Sequence, residues 1–430
     1  MSLAFLVLVA VFFGTAAIGV PVGFGMLLGG IAYLLVGGHD LALAGEQILN
    51  GLLSSYVLLA VPMFILAANV MNAGTISDRL FAFAHVLVGR MRGGLAQVDI
   101  IVSIIFASMS GSAIADAAGP GLMTIRMMEK AGYPRGFAAA VVAASATVGP
   151  IIPPSIPMVL YALISGVSVG ALFLGGVIPG LVMSAAMMIV VYITARRRLF
   201  PVDEPVPRHE WPRIIGRALL PLSLPMVLLG GIYSGGFTPT EAAAMGAAYA
   251  MILAGFVYRT LGPRTLYAVF AESLRSSAVV TLIICGAFVV NYAVATEQLP
   301  LRLAAYLDGI DFSATAFLLL LNLLFLVLGC FLDATTMLLV IVPLLLPTMK
   351  VLGIDLVHFG VVIIVNMMIG LITPPYGVLL FVLTGITKIP MREIISESWG
   401  FIAALIAALL LMTLVPETVL WLPQSLGYRT

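Results

Sequence analysis

The sequence predicts an all-α polytopic membrane protein built from two inverted repeats. Three observations predict this: a shortage of charge, a series of long apolar runs, and the recurrence of the same motifs in both halves. Of the 430 residues, 20 are Lys or Arg and 19 are Asp or Glu, while 62% are hydrophobic. A soluble chain of this length would carry on the order of 107 charged residues. The composition therefore excludes both a soluble globular protein and a disordered one.

The composition excludes further classes of function. A net charge of +1 cannot supply the basic face that nucleic acid needs. The two cysteines, Cys285 and Cys330, lie far apart in apolar runs, so they form neither a disulfide framework nor a Cys-ligated metal site. The four histidines are not spaced as ligands of a transition metal. The first charged residue is Asp40, so a cleaved signal is not expected and the mature protein should begin near Met1.

The apolar runs are long and uniform, which favours helices over the alternating strands of a barrel. The first run, 3–37, predicts either one tilted span or two shorter helices broken near Gly19 and Pro21. We expect residues 1–49 and 218–270 to form scaffold helices. Between the halves, segment 196–217 is polar and holds six Arg and four Pro. The positive-inside rule makes it a cytoplasmic basic loop.

The remaining segments, 50–195 and 271–430, share landmarks in the same order. Gly111, in a polar island, precedes Pro154 of a Pro-Pro pair by 43 residues, and Gly329 precedes Pro375 by 46. An asparagine lies upstream of each island, at Asn69 and Asn291. The two sets are offset by about 220 residues, which is typical of an internal structural repeat.

Each polar island predicts a re-entrant helical hairpin, over about 94–128 and about 313–349. The arms are too short for comfortable spans, and a tip near the midplane is tolerated where protein or a water-filled cavity covers it. Each island carries an aspartate, Asp116 or Asp333, and a carboxylate at membrane depth points to function. The alternative is that the small residues merely allow close helix packing.

The repeats are predicted to be inverted, because basic residues surround only the first island. Its flanks hold Arg90, Arg92, Arg126, Lys130 and Arg135, whereas the second island has Arg302 and Lys350 beside Asp308, Asp311 and Asp355. By the positive-inside rule, the first hairpin enters from the cytoplasm and the second from the opposite side. Inverted repeats of this kind are common in secondary transporters.

The double prolines predict two broken helices, over about 136–165 and about 357–387. Proline has no N–H and clashes with the carbonyl four residues earlier, which frees the carbonyls of Gly149, Pro150, Gly370 and Leu371. Unpaired carbonyls in lipid cost several kcal/mol, and a hard cation can use them. After each break, a half-helix begins with its positive end toward the centre, where an anion fits. The alternative is a proline kink without a ligand.

Four segments resemble the large membrane subunit of tripartite ATP-independent periplasmic (TRAP) transporters: SMSGSAIADAAG (108–119), EKAGYP (129–134), GPIIPPSIPMVLYA (149–162) and TPPYG (373–377). The resemblance covers the whole chain. It implies an elevator-type fold of the ion-transporter superfamily and sodium-driven import across the bacterial inner membrane. It also implies two protein partners, a periplasmic solute-binding protein and a small four-helix membrane subunit, the latter expected as a separate chain.

The resemblance also implies residues for the sites, with at least two sodium ions and no organic cofactor. The sodium ligands are expected at Ser108, Ser110, Gly149, Ile152 and Pro154 for one site, and at Gly329, Gly370, Thr373 and Tyr376 for the other. The substrate, a small organic anion, is expected to contact Ser112, Asp116, Ser155, Asp333 and Thr336. Whether it is a C4-dicarboxylate, sialic acid, a sugar acid or another carboxylate stays open.

Two other functions compete with transport. An intramembrane aspartyl protease would pair Asp116 with Asp333 over a shared proton. Neither aspartate lies in a Gly-x-Gly-Asp setting, and a protease leaves the double prolines unexplained. A channel would not need two matched broken helices around one central site.

Overall fold

The structure is a computed structural model that describes residues 2–54, 56–73, 76–200, 206–300, 302 and 313–428. Asp308 and Asp311, used in the charge count above, lie outside the described residues, as does part of the basic loop, 201–205. Within the described part, all regular structure is helical.

The first half contains eleven described α-helices. They are α1 Leu3–Ala17, α2 Val22–Val36, α3 Ala42–Ser54, α4 Ala60–Ala73, α5 Ile76–Val88, α6 Gly94–Ser110, α7 Ala113–Asp116, α8 Leu122–Lys130, α9 Arg135–Ala146, α10 Ile156–Ser165 and α11 Val169–Arg197. The initial apolar run is thus two helices, and the chain turns between them at Gly19 and Pro21.

The described part of the second half contains ten. They are α12 Trp211–Tyr233, α13 Pro239–Ile252, α14 Pro263–Thr296, α15 Ala314–Gly329, α16 Ala334–Val340, α17 Val342–Val351, α18 Leu356–Gly370, α19 Val378–Thr387, α20 Met391–Leu414 and α21 Glu417–Ser425. Among the described residues, six helical segments are long and apolar enough to cross a membrane: Tyr56–Ala73, Val169–Arg197, Arg208–Tyr233, Pro239–Val257, Pro263–Thr296 and Met391–Leu414.

The first hairpin is formed by α6 and the helical run from α7 to α8, close to the predicted 94–128. The first arm ends because Gly111 adopts a left-handed conformation, φ 58°, in which its N–H bonds to the Ala107 carbonyl. The Ser112 hydroxyl then caps the second arm by accepting from the Ala115 N–H at 3.4 Å. A π-helical turn, Ala117–Gly121, links α7 to α8.

The second hairpin is formed by α15 and the pair α16–α17. It extends from Ala314 to Val351, and both ends lie within two residues of the predicted 313–349. Asp333 caps α16, and its carboxylate accepts the Thr336 N–H at 3.1 Å. The second arm bends by 55° between α16 and α17. The capping aspartate therefore lies at the tip of the hairpin, where the chain reverses.

The two double prolines interrupt helices as predicted. The first lies between α9 and α10 and the second between α18 and α19; both Pro-Pro bonds are cis. Proline cannot donate to the helix ladder, and the helices end before the pairs: α9 at Ala146, seven residues before Pro153, and α18 at Gly370, four residues before Pro374. In the first break, Ser155 restarts the helix by accepting the Met158 N–H at 3.2 Å.

The two broken helices run in opposite directions. The start of α9 lies beside the start of α20, where Arg135 and Glu393 form a 2.9 Å ion pair. The start of α18 lies instead beside α10, because the Tyr161 hydroxyl donates to the Leu356 carbonyl at 2.6 Å. The second broken helix thus begins beside the end of the first, and the inverted relation of the two complete repeats stays a prediction.

Two predicted segment boundaries fall inside helices. The basic segment 196–217 is not a loop throughout: it is helical up to Arg197 and again from Arg208, because Pro212 at the start of α12 is compatible with a first helical turn. The predicted boundary at residue 271 falls inside α14, which runs unbroken for 34 residues. Its apolar side packs on α2, α3 and α4, so it belongs to one continuous scaffold.

Candidate functional site

A cavity of about 290 Å³ lies between the two hairpin tips, the two helix breaks and the scaffold helices α4 and α14. Its polar lining comes from the first tip (Ser110, Ser112), the second tip (Asp333, Thr335) and the scaffold (Asn69, Ser276). Its apolar lining includes Met368 and Leu371 of α18 and the second break. This volume and mixture suit a small ligand held by a few polar groups.

Four helices begin at this cavity. Ala113, Ile156, Ala334 and Val378, the first residues of α7, α10, α16 and α19, all line it. The N-terminus of a helix has unpaired N–H groups and a partial positive charge. Two of these helices are short, but their ends converge on one space, which makes that space favourable for an anion.

The first tip packs directly on the first break. A Cβ added at Gly111 would lie 2.6 Å from the Pro154 carbonyl oxygen and 3.3 Å from the Ser155 Cα. On the other side of this contact, a Cβ at Gly149 would lie 3.5 Å from the Ser112 carbonyl. We call this contact junction 1, and at Gly111 only glycine allows the backbones to approach so closely.

The second tip packs on the second break in the same manner. A Cβ at Gly370 would lie 2.7 Å from the Gly329 Cα and carbonyl carbon. The Gly377 N–H also donates to the Cys330 carbonyl at 3.2 Å, which ties the chain after the double proline to the tip. We call this contact junction 2. Each predicted pair of tip and break is therefore assembled by backbone contact.

The freed carbonyls are less available than the sequence suggests. The Pro150 carbonyl accepts the Ser155 hydroxyl, the Gly370 carbonyl accepts the Thr373 N–H at 3.1 Å, and the Leu371 carbonyl accepts the Leu379 N–H at 3.0 Å. The expectation of two unpaired acceptors at each break was therefore wrong. The carbonyls of Gly149 and Gly329 receive no hydrogen bond from the residues that the structure describes.

The other residues expected at the sodium sites differ in what they offer. Ser108 donates to the Ile105 carbonyl at 2.5 Å and Thr373 to the Ile369 carbonyl at 2.7 Å, and both hydroxyl oxygens keep lone pairs for a cation. The Ser110 hydroxyl lies at the cavity wall. The Ile152 side chain packs toward Gly180, so only its carbonyl can serve. Tyr376 is 48% exposed and packs on Phe381.

The residues expected to bind substrate are not all brought together. Ser112 and Asp333 line the cavity. Thr336 lies behind Asp333, and its hydroxyl donates to that carboxylate at 2.5 Å. Ser155 is fully buried and caps α10. Asp116 does not line the cavity but is buried within the first hairpin.

Sequence reasoning missed three polar residues of the cavity. Asn69 was identified as a repeat landmark but not as a site residue, and it donates to the Ser273 hydroxyl at 2.9 Å. Ser276 and Thr335 were not identified at all. Ser276 lies three residues, or about one helical turn, after Ser273, and this spacing of two serines was the available signal for Ser276. For Thr335 the signal was its closeness in sequence to Asp333.

Comparison with known proteins identifies this architecture. Residues 9–418 match the family described as "Tripartite ATP-independent periplasmic transporter, DctM component". The chain belongs to this family. Over 412 residues it is 41% identical to the sialic acid TRAP transporter large permease protein SiaM of Vibrio cholerae, covering 95% of this chain and 96% of that protein. It is 40% identical to the C4-dicarboxylate TRAP transporter large permease protein DctM of Pseudomonas aeruginosa, covering 86% and 87%.

A solved structure shares the fold of this TRAP large permease. The YdaH transporter of Alcanivorax borkumensis superposes with a TM-score of 0.64 over 85% of this chain and 86% of that one, at 14% identity. The protein is thus a multi-pass permease of the bacterial inner membrane, and its relatives are transporter subunits rather than enzymes. The protease alternative is not supported, because Asp116 does not reach the cavity that Asp333 lines.

Neutralising the cavity carboxylate should impair uptake. In Asp333→Asn, the cavity loses the negative charge that would attract a coupling cation beside an anionic substrate, and a loss of about 1.5–3 kcal/mol corresponds to roughly 10- to 150-fold slower uptake. Folding should persist, since Asn is also a good N-cap. Asp355→Asn is the matched control, because Asp355 caps α18 and lies outside the cavity. Equal uptake rates for the two variants in proteoliposomes would contradict a role for Asp333.

Proposed function

We propose that this TRAP large permease imports a small carboxylate-bearing solute, driven by sodium, by an elevator movement. The observation that carries the proposal is the convergence of four helix N-termini on one cavity between the hairpin tips. Helix N-termini attract anions, so a carboxylate is the expected substrate group. The names of the relatives, which mention sialic acid and C4-dicarboxylates, support the same chemical class.

Sodium coupling is supported by the two junctions beside the cavity. Each brings a hairpin tip against a broken helix, with a carbonyl, of Gly149 or Gly329, that no described residue hydrogen-bonds. Each junction also has a hydroxyl close in sequence to one of its glycines: Ser110 precedes Gly111, and Thr373 follows Gly370 by three residues. Sodium is a hard cation that oxygen ligands suit. Bound cations would also offset the charge of Asp333, which otherwise repels an anionic substrate in the same cavity.

The elevator movement is supported by the division of the helices. Hairpins and broken helices contact one another around the cavity, whereas α1–α4, α13 and α14 pack mainly among themselves, and α12 packs on both α13 and α5. The cavity lies where these two groups meet, with Asn69 and Ser276 contributed by the scaffold. A movement of the first group along the second would carry the cavity across the membrane.

The proposal predicts that the chain needs both partners, a periplasmic binding protein and a separate small membrane subunit. Purified large subunit alone in liposomes should take up substrate at a background rate. Adding the small subunit and the substrate-loaded binding protein should restore uptake. Full uptake by the large subunit alone would contradict the tripartite proposal.

The same liposomes test the coupling. With both partners present, an inward sodium gradient should drive accumulation of radiolabelled substrate above equilibrium, whereas equal sodium on both sides should allow equilibration alone. A channel would equilibrate in both conditions, and sodium-independent accumulation would contradict the proposed coupling.

A further inference from the structure

Two carboxylates are buried inside the first hairpin, away from the cavity. Asp99 lies on α6 and Asp116 at the end of α7, and each residue is only 1% exposed. The Asp99 carboxylate accepts the Ser145 hydroxyl of α9 at 2.7 Å. Both oxygens of Asp116 are buried, and neither makes a hydrogen bond of normal length to a described residue, although the Ser103 side chain of α6 lies close enough to stabilise the charge weakly. The two carboxylates interact electrostatically, and the cavity lining includes neither.

The charged groups on the surrounding helices do not compensate this pair. Helices α4, α5, α8, α9, α11 and α12 pack against α6, and α19 packs against α7 and the π-helical turn. Their Lys, Arg, His and Glu residues are Arg79, His85, Arg126, Glu129, Lys130, Arg135, Arg196, Arg197, Arg213 and Arg217. Most are exposed, Arg79 lies 3.7 Å over the Tyr258 ring, and Arg135 pairs with Glu393. Within the described part of the chain, none of these arginines and lysines forms an ion pair with Asp99 or Asp116.

In the second repeat, the equivalent contact between the hairpin arm and the broken helix is made by neutral side chains. Asn366 of α18 lies four residues before Gly370, as Ser145 lies four before Gly149. The Asn366 amide donates to the Asn322 carbonyl of α15 at 2.8 Å, and the Asn322 amide donates to Thr413 at 2.8 Å. A hydrogen-bonded bridge between hairpin arm and broken helix therefore does not require carboxylates. Their presence in the first repeat calls for a separate explanation.

A buried carboxylate without a strong hydrogen bond or a counter-charge does not remain ionised, and a second buried carboxylate on the helix packed beside it disfavours its charge further. We propose that Asp99 and Asp116 form a proton-binding site, separate from the cavity and the sodium junctions, that holds one proton on Asp116. Asp99 is the ionised partner, because the Ser145 hydroxyl stabilises its charge. The Asp116 carboxylate takes up one proton from solution to become the neutral acid, which removes the repulsion within the pair. The proposal does not depend on sodium coupling.

Infrared spectroscopy of the full chain with its small subunit in lipid nanodiscs tests this site. With aspartate labelled by carbon-13 at the carboxyl group, the spectrum at neutral pH should contain an isotope-shifted band of a protonated carboxyl, both with and without sodium. The band should disappear in Asp116→Asn and persist in Asp333→Asn, the same change at the other hairpin. In Asp99→Asn it should persist at a shifted frequency, because the neighbouring charge is gone.

Three results would overturn the proposal. The first is wild-type protein without a labelled protonated band at neutral pH, which needs no variant to fold. The second is a band that neither Asp116→Asn nor Asp99→Asn alters. The third is a band that appears only after sodium is withdrawn, which would identify the pair as a sodium site instead.

Discussion

Replacing Gly370 by alanine should nearly abolish transport. The new Cβ would lie 2.7 Å from the Cα and carbonyl carbon of Gly329 and 2.9 Å from its oxygen. These are backbone atoms that no rotamer change can move aside, so junction 2 must open. A displacement of about 1 Å at a positioned site can cost on the order of 100-fold in rate. Sodium-driven uptake by proteoliposomes that contain both partners measures the loss.

Gly385→Ala is the matched control for this prediction. Gly385 lies on α19 of the same repeat, and no atom lies within 4 Å of the position its Cβ would take. Its uptake should equal that of the wild type. If Gly370→Ala transports as fast as Gly385→Ala, close approach of tip and break is not needed for transport.

Removing one hydroxyl at either junction should weaken apparent sodium affinity. Ser110→Ala and Thr373→Ala each take away an oxygen that could complete a cation shell. A penalty of about 1–3 kcal/mol for the lost partner corresponds to roughly 5- to 150-fold. The effect on capture of substrate from the binding protein should be smaller. A sodium titration of uptake, at fixed substrate and binding protein, measures it.

Two variants separate a ligand role from a structural one. Thr373→Ser keeps the oxygen and should be mild. Thr387→Ala removes a threonine with the same local geometry, since Thr387 donates to the Leu383 carbonyl at 2.7 Å as Thr373 donates to Ile369. Thr387 ends α19, away from junction 2. Its variant should titrate like the wild type, and the account fails if both alanine variants at the junctions do so too.

The features that depend on local chemistry could be predicted from the sequence. A double proline must interrupt a helix wherever it lies, so both breaks were located correctly. Ser112 follows Gly111 in the first island, and Asp333 follows Gly329 in the second. Each caps the helix that begins the second arm of its hairpin. The resemblance to TRAP permeases, which rests on the motifs around these same turns, is confirmed by the family match.

The features that depend on how the chain folds back could not be predicted. The Leu371 carbonyl looks unpaired in the sequence, but the chain after the double proline returns and brings the Leu379 N–H to it. Asp116 was expected at the substrate, yet its position on a short helix turns it into the hairpin interior. Asp99 belongs to no motif that could have been recognised in the sequence. Its role depends on Asp116 and on Ser145, which lies 46 residues away in the chain and contacts it only after folding.

Direct binding of radioactive sodium to the purified complex, without substrate or binding protein, tests the central claim that cations bind at the two junctions. The account predicts at least two sodium ions on the wild type and on Thr387→Ala. It predicts one fewer on Gly370→Ala, and weakened binding of one ion on Ser110→Ala and of the other on Thr373→Ala. Wild-type stoichiometry and affinity in all three junction variants would contradict the claim.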